Sequence, residues 1–157
     1  MTQDTTKLDS RYDLFVAKVA ASKIVWGLQN KKGWANSHAA DNEDTTVVPF
    51  WSERAYAKAC AKDDWRDFTP TEIPLVDFLE SWCLGMADDD LLAGINWDAS
   101  MFGKEVNPFQ LAVDILEQLK VIKSAIKFAD FASIDDFIAD IKVSLDTDEE
   151  EEEPAKE

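Results

Sequence analysis

Ile24-Val25-Trp26-Gly27-Leu28, then Gln29-Asn30-Lys31-Lys32-Gly33, then Trp34, is the stretch whose reading decides the fold. The first five residues are rich in β-formers, the next are polar and end on a glycine, and Trp34 opens a second strand. Together they read as a hairpin. Its loop, Asn30 to Gly33, is one of the few basic spots in the chain. Upstream, Tyr12, Phe15, Val16 and Val19 recur on one helical face, with Ser10 as N-cap and Asp13 three positions on. A helix laid against a sheet is therefore expected.

Downstream, Asn36 to Asp44 is polar and acidic and reads as an exposed loop. Thr45 to Trp51 reads as a third strand, which Pro49 places at an edge or ends, because proline has no amide hydrogen to give a ladder. Ser52 is placed to cap a helix with Glu53 at its positive end, and Tyr56, Ala59 and Cys60 supply a small-residue face suited to close packing. Thr71-Glu72-Ile73 reads as a short strand, and Pro74 opens a helix carrying Leu75, Phe78, Leu79 and Trp82, ended at Gly85. After Asp88-Asp89-Asp90, Leu91 to Trp97 reads as the last strand. Asn107-Pro108 starts a long helix striped by Leu111, Ile115, Leu119, Ile122 and Ile126, which would run to Phe128 and reach roughly 30 Å. Ser133 and Asp136 cap a last helix bearing Ile134, Phe137, Ile138, Ile141 and Leu145.

The expected fold is α/β or α+β: a small mixed sheet of four or five strands, helices packed on it, and a C-terminal helical hairpin. Residues 1–8 are expected to be disordered, 9–145 to form one domain with C-terminal helices over about 107–145, and 146–157 to be a disordered acidic tail. A chain of 157 residues is long enough to bury a core without disulfides or a structural metal. Cys60 and Cys83 sit in apolar, helix-like patterns and read as buried free thiols of a reducing cytoplasm. No apolar stretch approaches the roughly 20 residues of a membrane span, and the start Met-Thr-Gln-Asp has no export-signal pattern, so the expected location is cytoplasmic.

The net charge is −16, of which −7 lies between Asp146 and Glu157. That field repels phosphate backbones and anionic lipid, so neither nucleic acid nor a membrane is an expected partner. A basic protein is. The plain alternative is an acidic surface that serves solubility.

Catalytic signals are weak. His38 is the sole histidine, and its neighbours Ser37 and Asp41 lie in the presumed loop, which supplies no fixed base for a nucleophile. No catalytic residue is assigned. One histidine and two distant cysteines are a poor ligand set for zinc, and Asp88-Asp89-Asp90 with Asp98 lacks the alternating oxygens and central glycine of a calcium loop. No metal site follows, and without a phosphate-cradling glycine motif no cofactor does. The remaining candidates are Trp51 and Trp97, each ending an apolar strand beside Ser52, Asn96 or Asp98. Aromatic residues there border a ligand site in many α/β folds if the strands are parallel, while core packing is the competing role. Trp51, Ser52, Asn96, Trp97 and Asp98 are thus the candidate binding residues.

Val25-Trp26-Gly27-Leu28, Gly33-Trp34-Ala35, Val48-Pro49-Phe50-Trp51-Ser52, Ala55-Tyr56-Ala57-Lys58-Ala59-Cys60, Trp65, Pro70-Thr71-Glu72-Ile73-Pro74-Leu75, Phe78-Leu79, Trp82 and Gly94-Ile95-Asn96-Trp97-Asp98 occur in that order. The series resembles the bacterial family called domain of unknown function twenty-seven fifty, over roughly residues 12–115. The resemblance implies a bacterial cytoplasmic protein and assigns neither an activity nor catalytic residues. In chain rhythm there is a looser similarity to proteins named for enhanced serine sensitivity and to toxin-neutralising immunity proteins, which work by presenting a surface. The function expected is therefore a non-enzymatic, immunity-like binding module with an acidic surface. The alternative is a small-molecule-binding protein or enzyme with a pocket near Trp51 and Trp97.

Overall fold

The computed structural model describes residues 2–152, with side chains described for residues 10–145. The elements in order are α1 (Thr2–Ser22), β1 (Ile24–Asn30), β2 (Gly33–Trp34), β3 (Ser37–Ala39), β4 (Asn42–Phe50), α2 (Arg54–Cys60) and β5 (Thr69–Pro74). A helical rod follows, made of α3 (Leu75–Asp77), a π-helical turn (Phe78–Cys83) and α4 (Leu84–Asp88). Then come β6 (Leu92–Ile95), β7 (Lys104–Val106), α5 (Pro108–Val121) and α6 (Ile134–Glu152).

The fold is mixed α and β, as expected, but its strands form two ladders, of order β2-β1-β5 and β3-β4-β6-β7. All pairings are antiparallel except β4 with β6, which is parallel. A single bridge joins the ladders. Trp26 and Trp51 exchange both backbone hydrogen bonds at 2.8 Å, so β1 meets the end of β4.

Strand periodicity explains why the sheet has two buried faces, since neighbouring residues point to opposite sides. Val25, Val48, Phe50, Ala93 and Ile95 join the larger core with α1, the 75–88 rod, α5 and α6. Leu28, Val47 and Trp51 turn to the other face and pack with Ala57 and Cys60 of α2, and with Trp65 and Trp97. Phe50 anchors the first core, in edge-on contact with Phe78 at 4.8 Å and Trp82 at 5.5 Å.

Several local readings are corrected. The first helix starts at Thr2 and the last reaches Glu152, so residues 2–8 and 146–152 continue helices rather than lying unstructured. No proline or glycine interrupts either run, and a helix seeded on packed residues propagates at low cost. Expectations for Met1 and for 153–157 lie outside the described residues. The supposed loop 36–44 holds β3 and the start of β4, in a hairpin with Ala39 opposite Asn42. It reads as a loop because this edge is mostly solvent-facing, although Ala39 is buried. Gly85 does not end its helix: the rod continues to Asp88, and Asp90 takes the left-handed conformation, with Leu91 N–H closing on the Met86 carbonyl. The long helix likewise stops at Val121, where Lys123 is left-handed and Ser124 N–H returns to the Leu119 carbonyl.

The C-terminal hairpin is present. α5 and α6 share the larger core through Leu116, Leu119, Phe137 and Ile141, and Lys120 meets Asp135 at 2.6 Å. The segment between them is held by Glu80, whose carboxylate accepts from Ala129 N–H at 2.7 Å and Asp130 N–H at 3.1 Å. Asn107 caps α5 as read, its side-chain oxygen accepting from Phe109 N–H at 2.8 Å. Asn107→Ala should therefore lower unfolding free energy by about 1 kcal/mol while Asn107→Asp largely retains it, as measured by urea denaturation.

Candidate functional site

β4 and β6 run parallel and end together, with Phe50 opposite Ile95. Beyond these ends the chain places Trp51-Ser52 on one side and Asn96-Trp97 on the other. The backbone continues the ladder for one more step through Asn96 N–H, which donates to the Phe50 carbonyl at 2.9 Å. Asn96 then turns left-handed, at φ 48°, which a short polar side chain tolerates better than most. That turn aims its amide back across the gap. Asn96 Oδ1 accepts from Ser52 N–H at 2.9 Å, and Asn96 Nδ2 donates to Ser52 Oγ at 3.1 Å. Ser52 is consequently drawn off the helix-capping role read from sequence: Glu53 is the N-cap of α2 and makes no side-chain cap bond.

Trp51 lies behind this pair and is fully buried, 0% exposed. Its indole Nε1 donates to the Trp97 carbonyl at 2.9 Å, and Cys60 Sγ donates to the carbonyls of Trp97 and Asp98 at 3.3 and 3.2 Å. Burial pushes the Cys60 thiol above its ordinary pKa, and burial does the same to Cys83. Neither thiol is a nucleophile at neutral pH, because little thiolate forms and neither is accessible.

Trp97 is held in one position by two glycines. A Cβ on Gly94 would stand 2.6 Å from the Trp97 ring, and one on Gly103 would stand 2.3 Å from Trp97 Cδ1 and 3.0 Å from the Ile95 carbonyl oxygen. Trp97 Nε1 is buried and has no hydrogen-bond partner among the described residues, a loss of about 1–3 kcal/mol. Packing of the ring thus outweighs satisfaction of its polar atom.

The loop after Trp97 is organised by Asp98 and Arg11. Asp98 Oδ1 accepts from Ser100 N–H at 2.9 Å and Phe102 N–H at 3.2 Å, while Asp98 Oδ2 faces Arg11 at 3.6 Å. The Arg11 guanidinium also donates to the Phe102 carbonyl at 3.0 Å and the Asn96 carbonyl at 3.4 Å. Through these contacts α1 is fastened to the carboxyl end of β6.

Between α1, the start of α2 and this loop lies a cleft of ≈ 450 Å³. Ser52, Asn96, Trp97 and Asp98 all line it, so four of the five sequence candidates come together there; Trp51 supports them from beneath and does not line the cleft. Arg11, Leu14 and Lys18 of α1 and Glu53, Tyr56 and Ala59 complete most of the wall. These were not singled out as site residues. Arg11, Leu14 and Lys18 do follow one helical face at i, i+3 and i+7, a spacing that shows they share a face but not what that face meets. Leu14 is 66% and Tyr56 48% exposed, and the neighbouring Glu53 carboxylate raises the pKa of the Tyr56 hydroxyl.

His38 lies on β3 opposite Thr46, apart from the cleft lining. Among the described residues no group of three His, Cys, Asp or Glu side chains is placed to hold a metal ion, and Asp98 is engaged with Arg11 instead of the exposed triplet Asp88–Asp90. No described helix is long and apolar enough to cross a membrane.

Two measurements check this geometry. Gly103→Ala should destabilise the fold by about 1–3 kcal/mol in urea denaturation, because the Ile95 backbone cannot yield to the added methyl. Ellman's reagent should find no reactive thiol in native protein and both thiols in denaturant; rapid native labelling of Cys60 would contradict its burial.

No curated protein and no solved structure matches this chain. Residues 12–115 match the family model described as "Protein of unknown function (DUF2750)", a span that contains both ladders and every cleft-lining residue except Arg11, and the chain belongs to that family.

Proposed function

We propose that the chain is a binding protein and that its site is the cleft at the carboxyl ends of β4 and β6. One observation carries this reading: a mostly apolar concavity of ≈ 450 Å³ is floored by a buried polar pair, Ser52 and Asn96. A few fixed polar groups within an apolar hollow of that size match what small-ligand sites require, and the ends of parallel strands are where open α/β sheets hold ligands. Trp97 and Tyr56 supply flat apolar surface. The Arg11–Asp98 pair fixes one wall, and the left-handed Asn96 fixes the floor.

A second reading has its own support. Met101 and Phe102 are exposed on the same loop, Leu14 and Tyr56 are exposed at the cleft, and the net charge is −16. Such a surface suits a basic protein that inserts an apolar side chain, in the manner of an immunity protein. The two readings differ in their response to salt, since capture by an acidic face weakens as ionic strength rises and an enclosed apolar contact barely responds.

A thermal-shift screen of small molecules against wild type and Tyr56→Ala tests the first reading. Tyr56 is half exposed, so its removal should leave the fold intact. A ligand present at about 100 times its Kd should stabilise wild type by about 2.7 kcal/mol, and Tyr56→Ala should lose most of that shift. Hits that stabilise both proteins equally, or an empty screen beside salt-sensitive binding of a basic protein, would replace the small-ligand reading with the second.

A further inference from the structure

We infer that the ligand is a zwitterion on an apolar body, an amine and a carboxylate beside an aromatic or branched aliphatic group, as in a free apolar amino acid; this rests on the small-ligand reading of the cleft. The charges of the lining carry the inference. Two bases, Arg11 and Lys18, and two acids, Glu53 and Asp98, line the hollow, so its wall is formally neutral in a chain of net charge −16. Arg11 and Asp98 answer each other at 3.6 Å, and Asp98 also accepts from two loop amides. Lys18 and Glu53 remain, one charge of each sign, and neither has an ion-pair partner among the described residues, the other included. The Tyr56 hydroxyl beside Glu53 is neutral and leaves that charge standing.

A ligand of one charge, of either sign, is attracted by one of these two groups and repelled by the other, so the lining gives it little net attraction. A ligand carrying both charges gains from both. Burial places the two groups suitably: Lys18 is exposed and Glu53 partly so, whereas Ser52, Asn96 and Trp97 are buried, so the free charges stand at the rim and the neutral residues at the base. A zwitterionic head held at the rim keeps part of its hydration, which lowers the cost of binding two charges. The apolar body then covers Trp97, Tyr56 and Leu14. The floor selects neither sign, since Ser52 and Asn96 are hydrogen-bonded to each other at 3.1 Å.

Calorimetric titration of the full chain in about 0.15 M salt, which screens the diffuse pull of the acidic exterior on any cation, tests the assignment. The probes are phenylalanine and leucine, each beside its N-acetyl derivative, which keeps only the negative charge, and its amide, which keeps only the positive. At least one amino acid should bind saturably at one site, and the tighter of the two about fivefold or more better than either of its derivatives. Lys18→Met and Glu53→Gln should each weaken that binding by about fivefold or more. The derivatives should respond in a crossed way, the N-acetyl form gaining affinity in Glu53→Gln and the amide in Lys18→Met, a pattern that loss of structure does not produce. Lys18 is exposed and Glu53 makes no side-chain cap bond, so both variants should keep the wild-type Tm. A derivative that binds as tightly as its parent, or an amino-acid affinity unchanged in either variant, would overturn the zwitterion, and so would absence of binding by both amino acids. Derivatives that still bound in a Tyr56-dependent way would leave the cleft itself standing. Binding by no probe, together with an empty screen, would remove the cleft reading too.

Discussion

The reciprocal backbone bridge between Trp26 and Trp51 is the contact on which the rest depends. Without it the strands are two separate ladders, one of three and one of four strands, each with an open edge. With it, β1 abuts β4, and both faces of the combined sheet can be covered: one by α1, α5, α6 and the 75–88 rod, the other by α2 and the Trp65 turn. A bridge of one residue pair is a small feature energetically, since a backbone hydrogen bond contributes only about 1 kcal/mol net. Its weight is positional. It fixes Trp51 at the place where the indole can reach the Trp97 carbonyl, and Trp97 in turn forms a cleft wall.

From that point the contacts form a chain. Trp51 and Cys60 hold the backbone of residues 97 and 98, Gly94 and Gly103 leave just enough room for the Trp97 ring, and Asp98 shapes the loop and receives Arg11. α1 is tied separately at Tyr12, whose hydroxyl donates to Asp114 on α5 and whose ring lies 4.6 Å from the Lys104 ammonium. The helix is thus anchored at adjacent positions, Arg11 to the loop and Tyr12 to the core. Leu14 and Lys18, one and two turns further on, are held over the cleft by that anchoring.

Much of the fold was legible because the decisive signals were local. β1, β4, β5 and β6 announced themselves by β-formers bounded by turn residues, and Asn107-Pro108 and Ser133 marked helix starts that the structure keeps. What was not legible depended on partners distant in sequence. Ser52 reads as a cap and is taken by Asn96, 44 residues away. β3 and β7 are short polar strands whose pairing, not their composition, makes them strands. The ends at Gly85 and Phe128 failed because ordinary residues, Asp90 and Lys123, adopt left-handed turns when the hydrogen bonds behind them repay the strain. At the candidate site the strand-end residues could be named in advance, but the α1 contribution could not, since nothing in Arg11, Leu14 and Lys18 alone says which surface they meet.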